Sequence, residues 1–229
     1  MRKYDLNNHL FGLNQDITWE EFRQKNIIWW NTVGKQDPKE QPTIKLDNYD
    51  FFLKWIEEEY NFSLADYEDK NVGEICCGPY GGILEASNVR ASNKYFIDIF
   101  MDDFRNMSLI DWPENSVFIQ APSECIHLRD DELDFLFGYN SIDHGWDWRL
   151  SLEECLRISK RVYLMFDTKD EVDGDYHPQK ISHEDVKAYV EQLNDDYNFA
   201  NFGVRAQLKN YGYYENCFEW PETWVYIEK

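Results

Sequence analysis

From Asn71 to Asp167, apolar residues come in short runs of strand length, separated by stretches where they recur at three- and four-residue steps. The runs are Val72–Cys77, Tyr95–Ile97, Ser116–Gln120, Asp134–Tyr139 and Val162–Asp167. Asp134–Tyr139 is apolar at nearly every position, so it needs cover on both faces, as a parallel strand between two helical layers has. Between the runs, Ile83, Leu84 and Ala86 suit a short helix, and Met101 to about Leu109 a second. Leu150–Ser159 turns Leu152, Cys155, Leu156 and Ile158 inward, and a helix capped by Ser182 with Asp185 ends near Leu193. Ahead of the first run, Thr18 and Glu21 stand at capping-box spacing and open a helix to about Trp30. Asp47 caps another, with Tyr49, Phe52, Trp55, Ile56 and Tyr60 at helical steps. Gly203–Leu208 and Thr223–Ile227 read as two closing strands with no helix between them. Such a pair must be antiparallel, because parallel neighbours need a long crossover.

The first run carries one acid, Glu74, and feeds a turn dense in special backbone residues: Gly78, Pro79, Gly81 and Gly82. The second run ends in Asp98. Strand, Gly-rich turn, helix, strand, acid is the order of a nucleotide-binding βαβ unit. Asp98 follows Gly78 by 20 residues, the spacing at which such an acid meets the hydroxyls of a ribose. A dinucleotide fingerprint needs G-x-G-x-x-G, and the matching register from Cys76 to Gly81 lacks its first glycine. A pyrophosphate on the helix N-terminus is therefore disfavoured.

E-I-C-C-G-P-Y-G-G, from Glu74 to Gly82, resembles the first motif of class I S-adenosylmethionine-dependent methyltransferases, E/D-x-G-x-G-x-G. Cys76 and Tyr80 stand where that motif has its first and third glycines. I-D-I-F-M-D-D-F, ending at Phe104, is similar to the family's I-D-P-L-x-x-x-Y segment. The most specific match is D-F-L-F-G-Y-N-S-I-D-H, Asp134 to His144, beside the family's F-D-x-V-x-x-x-N-x-L-D-H. L-x-E-C-L-R-I-S-K, ending at Lys160, resembles its L-x-E-x-x-R-V-L-K. The resemblance covers roughly residues 70–229.

It implies an α/β, Rossmann-like, seven-stranded mixed sheet with an antiparallel last strand, helices on both faces and N-terminal cap helices. The chain then divides into a helical cap segment, 1–65, and a methyltransferase-like domain, 66–229. The implied cofactor is S-adenosyl-L-methionine, in contact with Glu74, Gly78, Tyr80, Gly81, Asp98, Ser123 and Glu124, with Asn140 at the pocket floor. For Glu74 a fold-stabilising bond to backbone is the competing role. His144 and His177 are candidate general bases, since imidazole titrates near neutrality, and Asp143 is the residue that orients His144. Trp29, Trp30, Trp146 and Trp148 are candidate walls of the acceptor pocket. Asp143, His144 and Asp147 are the alternative reading as a divalent-cation site, but they lack a recognised ligand spacing, so no metal is assigned. The expected function is methyl transfer to a small-molecule hydroxyl or amine, such as that of a sugar or metabolite. The alternative is a catalytically silent nucleoside-binding or scaffold protein on the same fold.

Composition narrows the partners. Lys and Arg total 23 against 44 Asp and Glu, a net charge of −21. That field repels nucleic-acid backbones and anionic membranes, and no basic track offsets it. No apolar run reaches the ~20 residues of a membrane span. The polar N-terminus lacks a signal-peptide pattern, so a cytoplasmic protein is expected. Five cysteines without ligand spacing are expected to be reduced, packed thiols.

Overall fold

Five strands run parallel because each is followed by a segment long enough to cross back over the sheet. In the computed structural model they are β1 (Asn71–Ile75), β2 (Asn93–Asp98), β3 (Ser116–Gln120), β4 (Phe135–Tyr139) and β5 (Arg161–Asp167). The structure describes residues 19–34, 57, 63–86, 89–168, 179–193, 197–205 and 222–229. β6 (Phe199–Arg205) and β7 (Glu222–Glu228) complete a seven-stranded sheet of order β3-β2-β1-β4-β5-β7-β6. β7 lies antiparallel between β5 and β6. β6 starts four residues before the expected Gly203, because its pairing with β7 runs from Phe199 opposite Glu228 to Arg205 opposite Glu222. Residues 206–208 of the expected strand lie outside the described residues.

Alternate residues of the central strands feed two separate cores. On one face Ile75, Tyr95, Ile97, Leu136, Val162 and Leu164 pack under α4 (Trp148–Ile158) and α5 (His183–Leu193). On the other, Val72, Phe96, Phe135, Phe137, Tyr163 and Met165 pack under α2 (Gly82–Ala86) and α3 (Met101–Met107). This is the double cover that near-continuous apolar strands call for. α4 is fixed at its start by Asp147, whose Oδ1 accepts from the N–H groups of Arg149 at 3.0 Å and Leu150 at 3.3 Å. α5 starts with Ser182 Oγ accepting from the N–H of Asp185 at 3.1 Å.

α1 (Trp19–Gly34) runs four residues past the expected Trp30. It lies on the second core through Phe22, Ile27 and Trp30. Arg23 fastens it to α3 with Nε donating to Asp103 Oδ2 at 2.8 Å and a second guanidinium nitrogen donating to Oδ1. The second cap helix expected from Asp47 lies outside the described residues, except that Glu57 is helical. Cys76, Cys77, Cys125 and Cys155 are free thiols.

Candidate active site

In an open parallel sheet, ligands bind beyond the carboxyl ends of the strands where the strand order reverses. Here that point lies between β1 and β4, next to β2. β1 ends at Ile75, Cys76 at φ 52° turns the chain out of the sheet, and Gly78 follows at φ 63°. A Cβ on Gly78 would meet only the Trp30 ring, at 3.7 Å. Its left-handed backbone selects glycine, and the space above it is open except for that ring. Gly81, at φ 70°, and half-buried Tyr80 complete the turn.

Gly82 is a glycine for a different reason. A Cβ there would sit 2.0 Å from Glu74 Oε1. Glu74 is buried and uses that space to accept from the N–H of Ile83 at 2.9 Å and of Leu84 at 3.0 Å. These are two of the donors that a helix start leaves without partners. Burial pushes the Glu74 carboxyl up to about 8, against the downward pull of the two N–H groups. In the structure Glu74 therefore braces the turn, a supporting place beneath the residues above the sheet edge.

Asp98 joins the ends of β1 and β2. Its Oδ2 accepts from the N–H of Gly78 at 3.2 Å and its Oδ1 from the N–H of Phe100 at 2.9 Å. Burial raises its carboxyl to about 6, and those N–H groups hold it from rising further. The turn and the acid, recognised in sequence as separate features, are in direct contact.

The ends of β3 and β4 are tied together by Glu124. Its Oε1 accepts from the N–H of Trp146 at 2.6 Å and of Asp147 at 3.2 Å. Ser123 Oγ lies 3.3 Å from Glu124 Oε2 and 2.9 Å from Ser151 Oγ. Burial raises the Glu124 carboxyl, opposed by the Trp146 N–H. Asn140, expected at the pocket floor, is exposed, with left-handed backbone at φ 49° that closes β4. Ile142–His144 forms one tight turn, with Asp143 buried and His144 about a third exposed. His144 Nε2 stands 3.7 Å from Asp143 Oδ2, so the adjacent pair does face, at ion-pair range.

One expectation is corrected here. Trp148 is not a pocket wall: it is 2% exposed and packs edge-on against Tyr189 of α5, because it opens α4 on the helix's inward side. The alternative cation reading of Asp143, His144 and Asp147 gains no support, since Asp147 Oδ1 caps α4. Among the described residues no group of three or more His, Cys, Asp or Glu could hold a metal ion. Trp146 remains at the site, 6.4 Å from the Phe22 ring of α1. Trp30 reaches over Gly78 and meets Phe104 at 5.9 Å. Trp29 is on the same helix with its side chain outside the described residues, and His177 lies outside them altogether.

Gln179 and Phe22 were not singled out from sequence. Gln179 makes three hydrogen bonds to the turn beyond β4, and Phe22 touches both Trp146 and Phe100. A lone polar residue between loop and helix carries no periodic or spacing signal, so nothing in the chain pointed to Gln179.

The residues at this edge also set its charge. Segments 76–80, 98–100, 121–125 and 140–147 contain Asp98, Glu124, Asp143 and Asp147 and no Lys or Arg. Such an edge disfavours a pyrophosphate and favours a neutral or cationic ligand.

No protein-family profile and no curated protein matches the sequence. Solved structures do. Magnesium protoporphyrin IX methyltransferase from Synechocystis, solved with bound S-adenosylhomocysteine, superposes with a TM-score of 0.59 at 10% identity over 92% of this chain and 97% of that one. A candidate S-adenosyl-L-methionine-dependent methyltransferase from Methanococcus maripaludis gives 0.58 at 13% identity, covering 93% and 96%. A candidate methyltransferase of Haloferax volcanii, solved in complex with the Trm112 methyltransferase activator, gives 0.52 at 14% identity, covering 82% and 99%. At these identities the likeness is one of fold: the chain has the class I methyltransferase fold along most of its length.

Proposed function

We propose that the protein is an S-adenosylmethionine-dependent methyltransferase acting on a hydroxyl or amine of a small molecule. The observation that carries this reading is the contact of the Gly78 N–H with the Asp98 carboxylate at the point where the strand order reverses. It brings the open glycine turn and the ribose-type acid into one crevice of the fold that such enzymes use. The residues present fit the cofactor. Asp98 keeps lone-pair capacity for the ribose hydroxyls beyond its backbone donors. The space over Gly78 takes the nucleoside, with Tyr80, Gly81 and the Ser123-Glu124 segment around it. The acidic, Lys- and Arg-free edge suits a sulfonium better than a phosphate.

Bound S-adenosylmethionine supplies an already activated methyl group for in-line transfer, so orientation accounts for much of the rate. The chain's own part is to hold the acceptor and take its proton. His144 is the base in this reading, with Asp143 behind it, and Trp30 and Trp146 exclude water from above the turn. A partly closed aromatic crevice suits a small acceptor better than a protein surface. The net charge of −21 argues against a nucleic-acid acceptor. Among the described residues no helix is long and apolar enough to cross a membrane.

One observation favours the silent alternative: Cys76 holds a left-handed φ of 52° where the family motif has a glycine. Turnover separates the two readings. Incubation with S-adenosylmethionine and a panel of small hydroxyl and amine acceptors, read by mass spectrometry, is expected to yield a product heavier by one methylene. His144→Ala is expected to lower kcat by about 10²–10⁴ with cofactor affinity intact. Cofactor binding without any methylated product across the panel supports the silent reading.

A further inference from the structure

The turn that carries Asp143 and His144 is held from two sides, and only one clamp belongs to the crevice described above. Glu124 takes the N–H groups of Trp146 and Asp147 from the β3 side. From the opposite side, out of the segment leading into α5, comes Gln179. Its Nε2 donates to the carbonyl of Ile142 at 3.0 Å and to that of Gly145 at 2.6 Å. Its Oε1 accepts from the N–H of Trp148 at 2.6 Å. Those three backbone groups bracket Asp143, His144 and Trp146.

We infer that Gln179 is the positioning residue that sets His144 and Trp146 against the crevice, an inference that rests on the methyltransferase reading for its catalytic meaning. The chemistry at this position is narrow. The side chain must donate twice and accept once, simultaneously, which a primary amide does and a carboxylate, ammonium or hydrocarbon does not. Asparagine carries the same amide on a chain shorter by one methylene. The bonds reach 31, 34 and 37 residues along the sequence, so they fix tertiary placement and not local turn geometry. Locally the turn is closed by the bonds from the His144 N–H to the Ser141 carbonyl and from the Gly145 N–H to the Ile142 carbonyl. Ile142 is fully buried and anchors the turn from below. On the α5 side Trp148 also packs on Tyr189, but that contact holds a ring, whereas Gln179 holds the backbone carbonyls of Ile142 and Gly145. A reacting group displaced by about 1 Å costs on the order of 10²-fold in rate.

The test uses the full-length protein with isotope-labelled histidine, the His144 imidazole resonance being assigned by its loss in His144→Gln. In Gln179→Ala the His144 resonance is expected to move from its native position while His127, on the far flank of α4, stays in place. S-adenosylhomocysteine affinity, measured by calorimetry, is expected to stay unchanged. In Gln179→Glu the resonance is expected to be displaced from the native one at neutral pH and to approach the native resonance recorded at the same pH as acidification protonates the new carboxyl and restores a donor. A His144 resonance that stays native in both variants overturns the inference. So does a general shift in which His127 moves equally and acid restores nothing. S-adenosylhomocysteine that fails to bind the native protein refutes the methyltransferase reading instead, and the His144 resonance still decides whether Gln179 sets the turn.

Discussion

Asp98 holds two backbone N–H groups and still presents a carboxylate to the crevice, so its ionisation couples the turn to any ligand there. If it accepts the ribose hydroxyls, Asp98→Ala should weaken S-adenosylhomocysteine binding by roughly 1.5–3 kcal/mol. Its folded value of about 6 lies above the ordinary 3.8. In the ligand-free protein this raised group gives stability that is complete below the ordinary value and is lost as pH rises through about 6. Ligand binding runs the other way, because the ionised form is the better acceptor. Calorimetric affinity for S-adenosylhomocysteine should therefore fall as pH drops through about 6, and Asp98→Ala should flatten that dependence.

Glu74 makes the contrasting residue-scale case. Glu74→Gln replaces one acceptor oxygen by a donor, leaving the N–H of Ile83 or Leu84 without a partner in a buried site. A loss of about 1–3 kcal/mol in stability is expected near neutral pH, read by denaturant unfolding. The native carboxyl's raised value of about 8 gives stability that is complete below the ordinary 4.5 and lost as pH rises through about 8, so the gap between native and variant should narrow across that range. Affinity for the nucleoside should survive the change, since the carboxylate faces the start of α2.

Acids at strand ends were legible in sequence because strand, turn and acid have fixed order and spacing. Trp148 was misplaced because Trp146, Asp147 and Trp148 read as one aromatic cluster. Only the helix start at Asp147 reveals that Trp146 faces α1 while Trp148 turns inward.

At the scale of elements, the strands from β1 to β5 were read within a residue or two, because a doubly covered strand is apolar throughout. β6 was placed four residues late: its position is set by pairing with β7 and not by its own composition. The seating of α1 was legible only as a helix with aromatic residues. Its position follows from Arg23 on Asp103, Phe22 against Phe100, and Trp30 above Gly78. A helix whose described attachments are the Arg23–Asp103 ion pair and ring contacts forms a cover that can loosen alone. Arg23→Ala should accordingly speed amide hydrogen exchange in α1 while leaving α4 and α5 protected. Equal loss of protection in all three helices would show that α1 is integral to the global fold.

The whole molecule combines the strand order of a class I methyltransferase sheet, a net charge of −21 and segments after β1 to β4 that carry no Lys or Arg. Together these favour the proposed site for a nucleoside carrying a cation over one for a pyrophosphate. Calorimetric titration of the native protein with S-adenosylhomocysteine and, in parallel, with NAD tests that claim most directly, with thermal unfolding at saturating ligand as its companion. Saturable one-to-one binding of S-adenosylhomocysteine is predicted, with a stabilisation of about 2.7 kcal/mol at a hundredfold excess over its Kd, and no response to NAD. Binding of NAD, or the absence of both heat and thermal shift with S-adenosylhomocysteine, would contradict it.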